Sequence, residues 1–272
     1  MKSKNICYPS KCTFPSISIT GKECFYSCMH CNRKYLDFMI HINQEKLYQK
    51  AIELSNKGAK GILVSGGFNE SGKVPIEYSI LKKIKQDTHL SINLHSGFLA
   101  RDDAKEIKKS GVDAVSVDFV GSNDTIERVL RIPFKVLDYE NTVRFLIEEG
   151  VNVIPHICVG LDHGKVVGEY NAVEILKKYP IESLTLLVLI KNELEKTHTV
   201  NYEVQSIKDF FYYARNSFPD IKLSLGCMRP RIKELDETAL LFDSIVNPSK
   251  NMIKLIRNEF NIVVKEMCCS LC

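Results

Sequence analysis

Hydrophobic and polar positions along the chain alternate between two periods. The run Ser16-Ile17-Ser18-Ile19-Thr20 alternates residue by residue and predicts a strand, and the pattern from Gln44 to Lys57 has the spacing of a helix. Gly61-Ile62-Leu63-Val64-Ser65 is a continuous apolar run, as in a strand buried on both faces. From there the two patterns take turns. Helical stretches are expected over 77–87, 101–110, 139–149, 170–179 and 204–217. Strands are expected over 90–95, 112–120, 151–161, 183–190 and 222–225, with Pro155 marking a bulge or an early bend in one of them. Short helices over 237–242 and 252–258 and an eighth strand over 262–265 close the series. Strand–helix alternation of this kind requires parallel strands and right-handed crossovers. It predicts an α/β fold, a partial to near-complete (β/α) TIM-like barrel. Residues 16–225 would form its core, between an extended, proline-punctuated segment 1–15 and a C-terminal extension 226–272.

Composition narrows the class. The 272 residues are 44% hydrophobic and 26% charged, ordinary for one globular domain of barrel size. No run of about 18 apolar residues suggests a membrane span, and Met1-Lys2-Ser3-Lys4-Asn5 lacks the apolar core of a signal peptide. The expectation is a cytoplasmic protein with no membrane partner. A net charge of +4 without a concentrated basic stripe gives no sign of nucleic-acid binding. Ten cysteines in a reducing compartment point to metal binding or redox chemistry rather than a disulfide framework.

The cysteines are not scattered evenly. Cys24, Cys28 and Cys31 stand in the spacing C-x3-C-x2-C on the loop that leaves the first expected strand. Three thiolates so placed can hold three irons of a [4Fe–4S] cube and leave the fourth open to a small molecule. A zinc site would need a fourth ligand, from His30 or a distant cysteine, and a disulfide would use only two of the three. Cys7 and Cys12 precede the strand in a C-x4-C pair, which reads equally as a second metal site or as free thiols. Cys227 lies between Gly226 and the arginines 229 and 231, whose charge would favour its thiolate. Cys268, Cys269 and Cys272 crowd the last five residues. Cys7, Cys12, Cys227, Cys268, Cys269 and Cys272 are together enough for a second, auxiliary cluster. Cys158, alternating with apolar neighbours, reads as a small core residue.

Other candidates sit at strand ends, where barrel chemistry is found. His95 closes one strand. Ser116 and Asp118 share a face of the next by the two-residue period, either to bind a ligand or to satisfy one another. Arg229 is placed to hold a carboxylate. Gly66 and Gly67, directly after an apolar strand, permit close approach of the backbone to a ligand or simply make a turn.

The cysteine loop resembles the signature of the radical S-adenosylmethionine (SAM) enzymes. The resemblance implies a [4Fe–4S] cluster on Cys24, Cys28 and Cys31, with SAM chelated to the open iron and His30 beside the adenine. Ser65-Gly66-Gly67-Phe68 resembles the family's Gly-Gly-Glu turn without its acid, so the backbone role alone carries over. Gly160 resembles the glycine turn that touches adenine. Phe14-Pro15-Ser16-Ile17-Ser18-Ile19-Thr20-Gly21 and Gly226-Cys227-Met228-Arg229-Pro230 resemble the two-component lipoyl synthases, relatives of biotin synthase. That resemblance implies sulfur insertion into a protein-bound octanoyl chain, at C6 and C8. It also implies a second homologous radical SAM subunit, an octanoylated carrier protein as substrate, and ferredoxin or flavodoxin as electron donor. The C-x4-C-x5-C triplet of one-chain lipoyl synthases is broken, because Ser18 stands where its third cysteine would be. The alternative is a biotin synthase-type enzyme with another substrate, a small-molecule mutase or cofactor maturase. A purely metal-binding module is the other rival reading, disfavoured by the barrel pattern and the glycine turn.

Overall fold

The computed structural model describes residues 3–191 and 201–272. Its frame is one sheet of eleven parallel strands. In chain order these are β1 (Ser3–Cys7), β2 (Ser16–Ser18), β3 (Ile40–His41), β4 (Gly61–Ser65), β5 (Ser91–His95), β6 (Ala114–Asp118), β7 (Val153–Val159), β8 (Ser183–Val188), β9 (Lys222–Leu225), β10 (Ser244–Val246) and β11 (Asn261–Lys265). Across the sheet the order is β11-β1-β10-β9-β8-β7-β6-β5-β4-β2-β3. Among the described residues no pairing joins β11 to β3, so the sheet curls into an open barrel. The helices are α1 (Leu47–Asn56), α2 (Tyr78–Asp87), α3 (Arg101–Ser110), the single turn α4 (Asn123–Thr125), α5 (Val136–Glu148), α6 (Glu169–Leu176), α7 (Val204–Ser217) and α8 (Lys250–Glu259).

The two faces of the sheet differ sharply. Ile17, Ile62, Ile92, Val115, Ile157, Leu184, Leu223 and Ile245 are buried in one continuous apolar cluster with the inner faces of the helices, among them Leu81, Ile107, Val143 and Phe210. At roughly 25 cal/mol per Å² of apolar area, this layer is the main source of stability. The alternate positions are polar: Ser18, Ser65, Asn93, Ser116, His156, Thr185, Ser224 and Ser244 are buried. Their side chains turn to the concave face and bond across strands, as Ser116 does to Asn93 Oδ1 (2.9 Å) and Ser224 to Ser244 (2.6 Å). A barrel filled by its own core would carry Val, Ile and Leu at these positions. This one has a polar lumen suited to ligands.

Three expectations are corrected. The segment before Ser16 is not simply irregular, because Ser3–Cys7 forms β1 between β10 and β11. Both terminal extensions thus enter the same sheet. Lys4-Asn5-Ile6-Cys7 carries no two-residue alternation of polar and apolar residues, and Pro9 and Pro15 follow it. Pro155 makes no bulge; β7 pairs with β6 through Val117–Pro155 and with β8 from His156 onward. The expected helix at 237–242 is a longer 3-10 segment, Lys233–Leu241, followed by β10, which is too short to register as a period. The second half of the expected strand 183–190 and the start of α7 flank residues outside the described set.

Candidate functional site

The signature loop is pinned to the turn after β4 by a small set of bonds. Thr20 Oγ1 accepts from the Gly67 amide (2.7 Å) and donates to the Glu23 carbonyl (2.9 Å). Phe25 N–H donates to the Phe68 carbonyl (2.7 Å), and Phe68 N–H donates to Cys24 Sγ (3.3 Å). Gly67 is required here. A Cβ on it would lie 1.9 Å from the Glu23 carbonyl oxygen and 2.6 Å from Cys24 Cα. Ser65 and Gly66 lead into this contact from the end of β4. The Gly66-Gly67 turn therefore holds the cysteine loop itself, in addition to any ligand.

The three thiols fit a cluster. Burial, with the charges of Cys31 and Cys24, pushes the Cys28 thiol up to about 12. Burial likewise raises Cys31. Cys28 and Cys31 are thus unfavourable as free thiolates and would be stabilised by bound cationic metal. The Phe68 amide aimed at Cys24 is the kind of donor that supports a ligating sulfur. The Nδ1 of His30 is buried without a hydrogen-bond partner, an orphaned polar atom on the same loop.

Opposite the loop lie the other strand-end residues. His95 Nε2 is 3.5 Å from Asp118 Oδ2. The Asp118 side chain is more than half exposed; desolvation opposes its charge, but His95, His156 and His30 overcome this and hold its carboxyl at about 2. His95 is pushed down by burial and, more strongly, up by Asp118, for a net rise. Burial lowers His156 to about 4. Ser116, placed with Asp118 in the sequence reading, sits one step deeper and is hydrogen-bonded on both sides. Gly160 lies past the end of β7 at φ 76°, and its amide donates to Glu169 Oε1 (2.7 Å).

The terminal cysteines converge. The segment after β11 folds back across the lumen. Cys268 Sγ accepts from Asn93 Nδ2 (3.6 Å), and Ser270 Oγ meets Ser116 (2.7 Å) and His156 Nε2 (3.4 Å). Cys269 Sγ lies 3.6 Å from His156 Nε2, and its titration is linked to that of Cys227. Donation from Cys269 is the main influence lowering Cys227 to about 7, against burial and with help from Arg229, while Cys269 is raised. Cys7 and Cys272 are buried with their sulfurs in bonding contact and their Cα atoms 6.0 Å apart, and Cys269 packs against them. This pair departs from the expectation of cysteines that bind metal rather than form disulfides. Cys12 does not join. It is exposed on a turn closed by Ser10.

Arg229 is committed elsewhere. It is buried, and its guanidinium donates to the carbonyls of Gly226, Val246 (2.7 Å) and Asn247 (3.0 Å). In this structure it fixes the Cys227 loop to the end of β10. Cys158 lies on the same face as His156, half-buried, not wholly within the outer core. His156, Asn93 and Ser270 are the lumenal residues missed by sequence reasoning. The signal for His156 was its two-residue spacing from Cys158 on a strand already identified.

The family model described as Radical SAM superfamily matches residues 18–164. The chain belongs to the Radical SAM superfamily. Members use a [4Fe–4S] cluster and SAM, and Cys24, Cys28 and Cys31 are the residues that would hold the cluster here. Solved structures agree in fold. Methylornithine synthase (PylB) superposes with a TM-score of 0.64 at 13% identity, over 98% of this chain and 73% of its own. The [FeFe]-hydrogenase maturase HydG from Carboxydothermus hydrogenoformans gives 0.67 at 16%, over 98% and 69%. SuiB of Streptococcus suis, bound to SAM, gives 0.61 at 9%, over 94% and 58%. This chain thus spans less than two thirds of the SuiB chain. No curated protein sequence matches the chain. Among the described residues no helix is long and apolar enough to cross a membrane.

Proposed function

We propose that this radical SAM enzyme inserts sulfur into protein-bound octanoyl groups to make the lipoyl cofactor, acting with a second homologous subunit. The observation that carries the reading is the gathering of Cys7, Cys227, Cys268, Cys269 and Cys272 in the same lumen that the signature loop faces. A sulfur donor is needed beside a radical generator, and these thiols are the chain's means of holding one. Four of them, Cys7, Cys227, Cys269 and Cys272, form the proposed ligand set of an auxiliary iron–sulfur cluster, which Cys7 and Cys272 can join once the bond between their sulfurs is reduced to two thiolates, as dithionite would do. Cys268, held by Asn93, is a surplus thiol, and the exposed Cys12 is left out.

An unactivated C–H bond is beyond side-chain acids and bases, so when bound the [4Fe–4S] cluster and SAM supply the 5′-deoxyadenosyl radical that attacks it. The chain's own residues do the rest. Gly66 and Gly67 set the loop that carries Cys24. The polar lumen positions SAM through the strand ends bearing His95 and Asp118. The folded-back tail closes one side of the lumen and excludes water. The carrier protein, the electron donor (ferredoxin or flavodoxin) and the partner subunit belong to this reading.

The test is anaerobic turnover of an octanoyl-lysyl peptide with SAM and dithionite, together with the second subunit. Sulfur-bearing peptide alongside 5′-deoxyadenosine is the expected outcome. SAM cleavage with no sulfur-bearing peptide would refute it and favour the mutase or maturase alternative.

A further inference from the structure

The two edges of the sheet are finished differently. β3 is two residues long, too short to template a further strand. β11 has five residues, and among the described residues nothing pairs with its outer side. Edge strands are commonly guarded by proline, a bulge or an exposed lysine. β11 has no proline and no bulge, its register with β1 running unbroken from Asn261 to Lys265. Its one charged residue, Lys265, is engaged elsewhere, with Nζ donating to the Cys272 carbonyl (2.9 Å). We propose that the outer edge of β11 is the docking site for a second copy of this chain, paired antiparallel about a two-fold axis at Val263.

Exposed apolar side chains gather at this edge. Val263 is 42% exposed and Val264 is 63% exposed, and as neighbours on a strand they point to opposite faces. Tyr8, 38% exposed, continues β1 alongside, and its amide donates to the Lys265 carbonyl (2.9 Å). That bond fixes which backbone groups are free. Lys265 turns its carbonyl toward β1, so by the alternation of the ladder Val263 and Asn261 do the same. The amides and carbonyls of Ile262 and Val264 therefore point outward, unpaired.

These free groups complement themselves. With Val263 facing Val263 of the second copy, Ile262 stands opposite Val264 and Val264 opposite Ile262. Each of those two pairs can exchange both of its N–H···O bonds. Asn261 falls opposite Lys265. Apolar residues thus meet apolar residues, polar meet polar, and no like charges face each other. Moving the axis one residue either way would set Val263 against Lys265 or Asn261 instead. A two-fold axis closes the assembly at two copies. One strand pair is a small interface, so the dimer forms in a concentration-dependent way. The edge lies one strand from β1, which ends at Cys7, so pairing also braces the strands that carry the terminal thiols. The site stands independently of the sulfur-insertion reading.

The experiment is anaerobic sedimentation equilibrium of the full cluster-loaded chain across the micromolar range, with hydrogen–deuterium exchange of the segment 259–267 at both ends of that range. A monomer–dimer equilibrium is expected, with exchange in the segment slowing as the dimer forms. Val263→Lys sets two ammonium groups face to face at the axis and should weaken association at least tenfold. Val263→Glu should do the same. An equimolar mixture of the two variants should associate again, because an axis at residue 263 brings these two side chains together. Circular dichroism and iron content check that each variant is folded and loaded, and the wild-type exchange decides the matter if either is not. A wild type that stays monomeric overturns the proposal. So does a dimer whose 259–267 exchange ignores concentration, a dimer that the Val263 variants leave intact, or a chain that associates with the second homologous subunit and not with itself. The iron count and the octanoyl assay are separate readouts, so failure here leaves the sulfur-insertion reading standing.

Discussion

The signature loop and the terminal cysteine cluster bring together similar numbers of thiols by opposite means. Cys24, Cys28 and Cys31 lie within eight residues, and a single turn, fixed by Thr20 and Gly67, holds them. Cys7, Cys227, Cys269 and Cys272 come from the ends of β1, β9 and β11, and the whole sheet must form before they meet. The first site is a property of a loop and the second a property of the fold. Loss of local structure should therefore damage the first alone, while loss of the sheet edge should damage the second first.

The largest expected effect is on the loop. Replacing Cys24, Cys28 and Cys31 together by alanine should abolish SAM cleavage and reduce iron from about eight to about four per chain, since each cubane holds four. A wild type holding only about four irons, all lost in the triple variant, would dissolve the comparison. Next comes the fold-built site. Cys7→Ala or Cys272→Ala should remove about four irons and spare SAM cleavage, whereas Cys12→Ala should remove none. Equal iron loss from Cys12→Ala would show that the exposed turn moves into the site.

His156 borders the fold-built site, 3.6 Å from Cys269 Sγ, and makes the stability of the fold depend on pH. Its pKa is lowered by burial to about 4 in the folded chain, against 6.5 for the free side chain. The folded state stays neutral while the unfolded state takes up a proton. The stability it contributes is present above pH 6.5 and is lost as pH falls toward 4, by roughly 3 kcal/mol at most. Urea unfolding of cluster-free protein between pH 7 and 4.5 should show this acid loss, and His156→Gln should flatten it. A slope unchanged in the variant would remove His156 as its cause.

Gly67→Ala should then cost about 1–3 kcal/mol, because the new Cβ meets backbone on the Glu23–Cys24 segment that cannot yield without moving Cys24. Iron should be lost from the loop cluster and kept by the other. The smallest effect is Thr20→Val, about 1 kcal/mol for two hydrogen bonds at a partly exposed position. Thermal unfolding and iron analysis of both variants check this ranking.

The sequence by itself determined the alternation of strands and helices, because burial of parallel strands on both faces and of one stripe per helix imposes periods that need no partner to be read. It also determined the cysteine loop, whose ligands are close neighbours along the chain, and the Gly66-Gly67 turn, and it marked His95 by its place at a strand end and Ser116 and Asp118 by the two-residue period. Only the tertiary structure decided that Ser3–Cys7 is a strand in the sheet, since β1 takes its pairing from β10 and β11 more than 230 residues away. It alone gathered Cys7, Cys227, Cys269 and Cys272 and set Cys12 aside, turned Arg229 onto three backbone carbonyls, and brought His156 beside Asp118 and the tail. Those outcomes depend on strand order and on which face of each strand looks inward, and contacts between distant segments leave no spacing in the chain from which to read them.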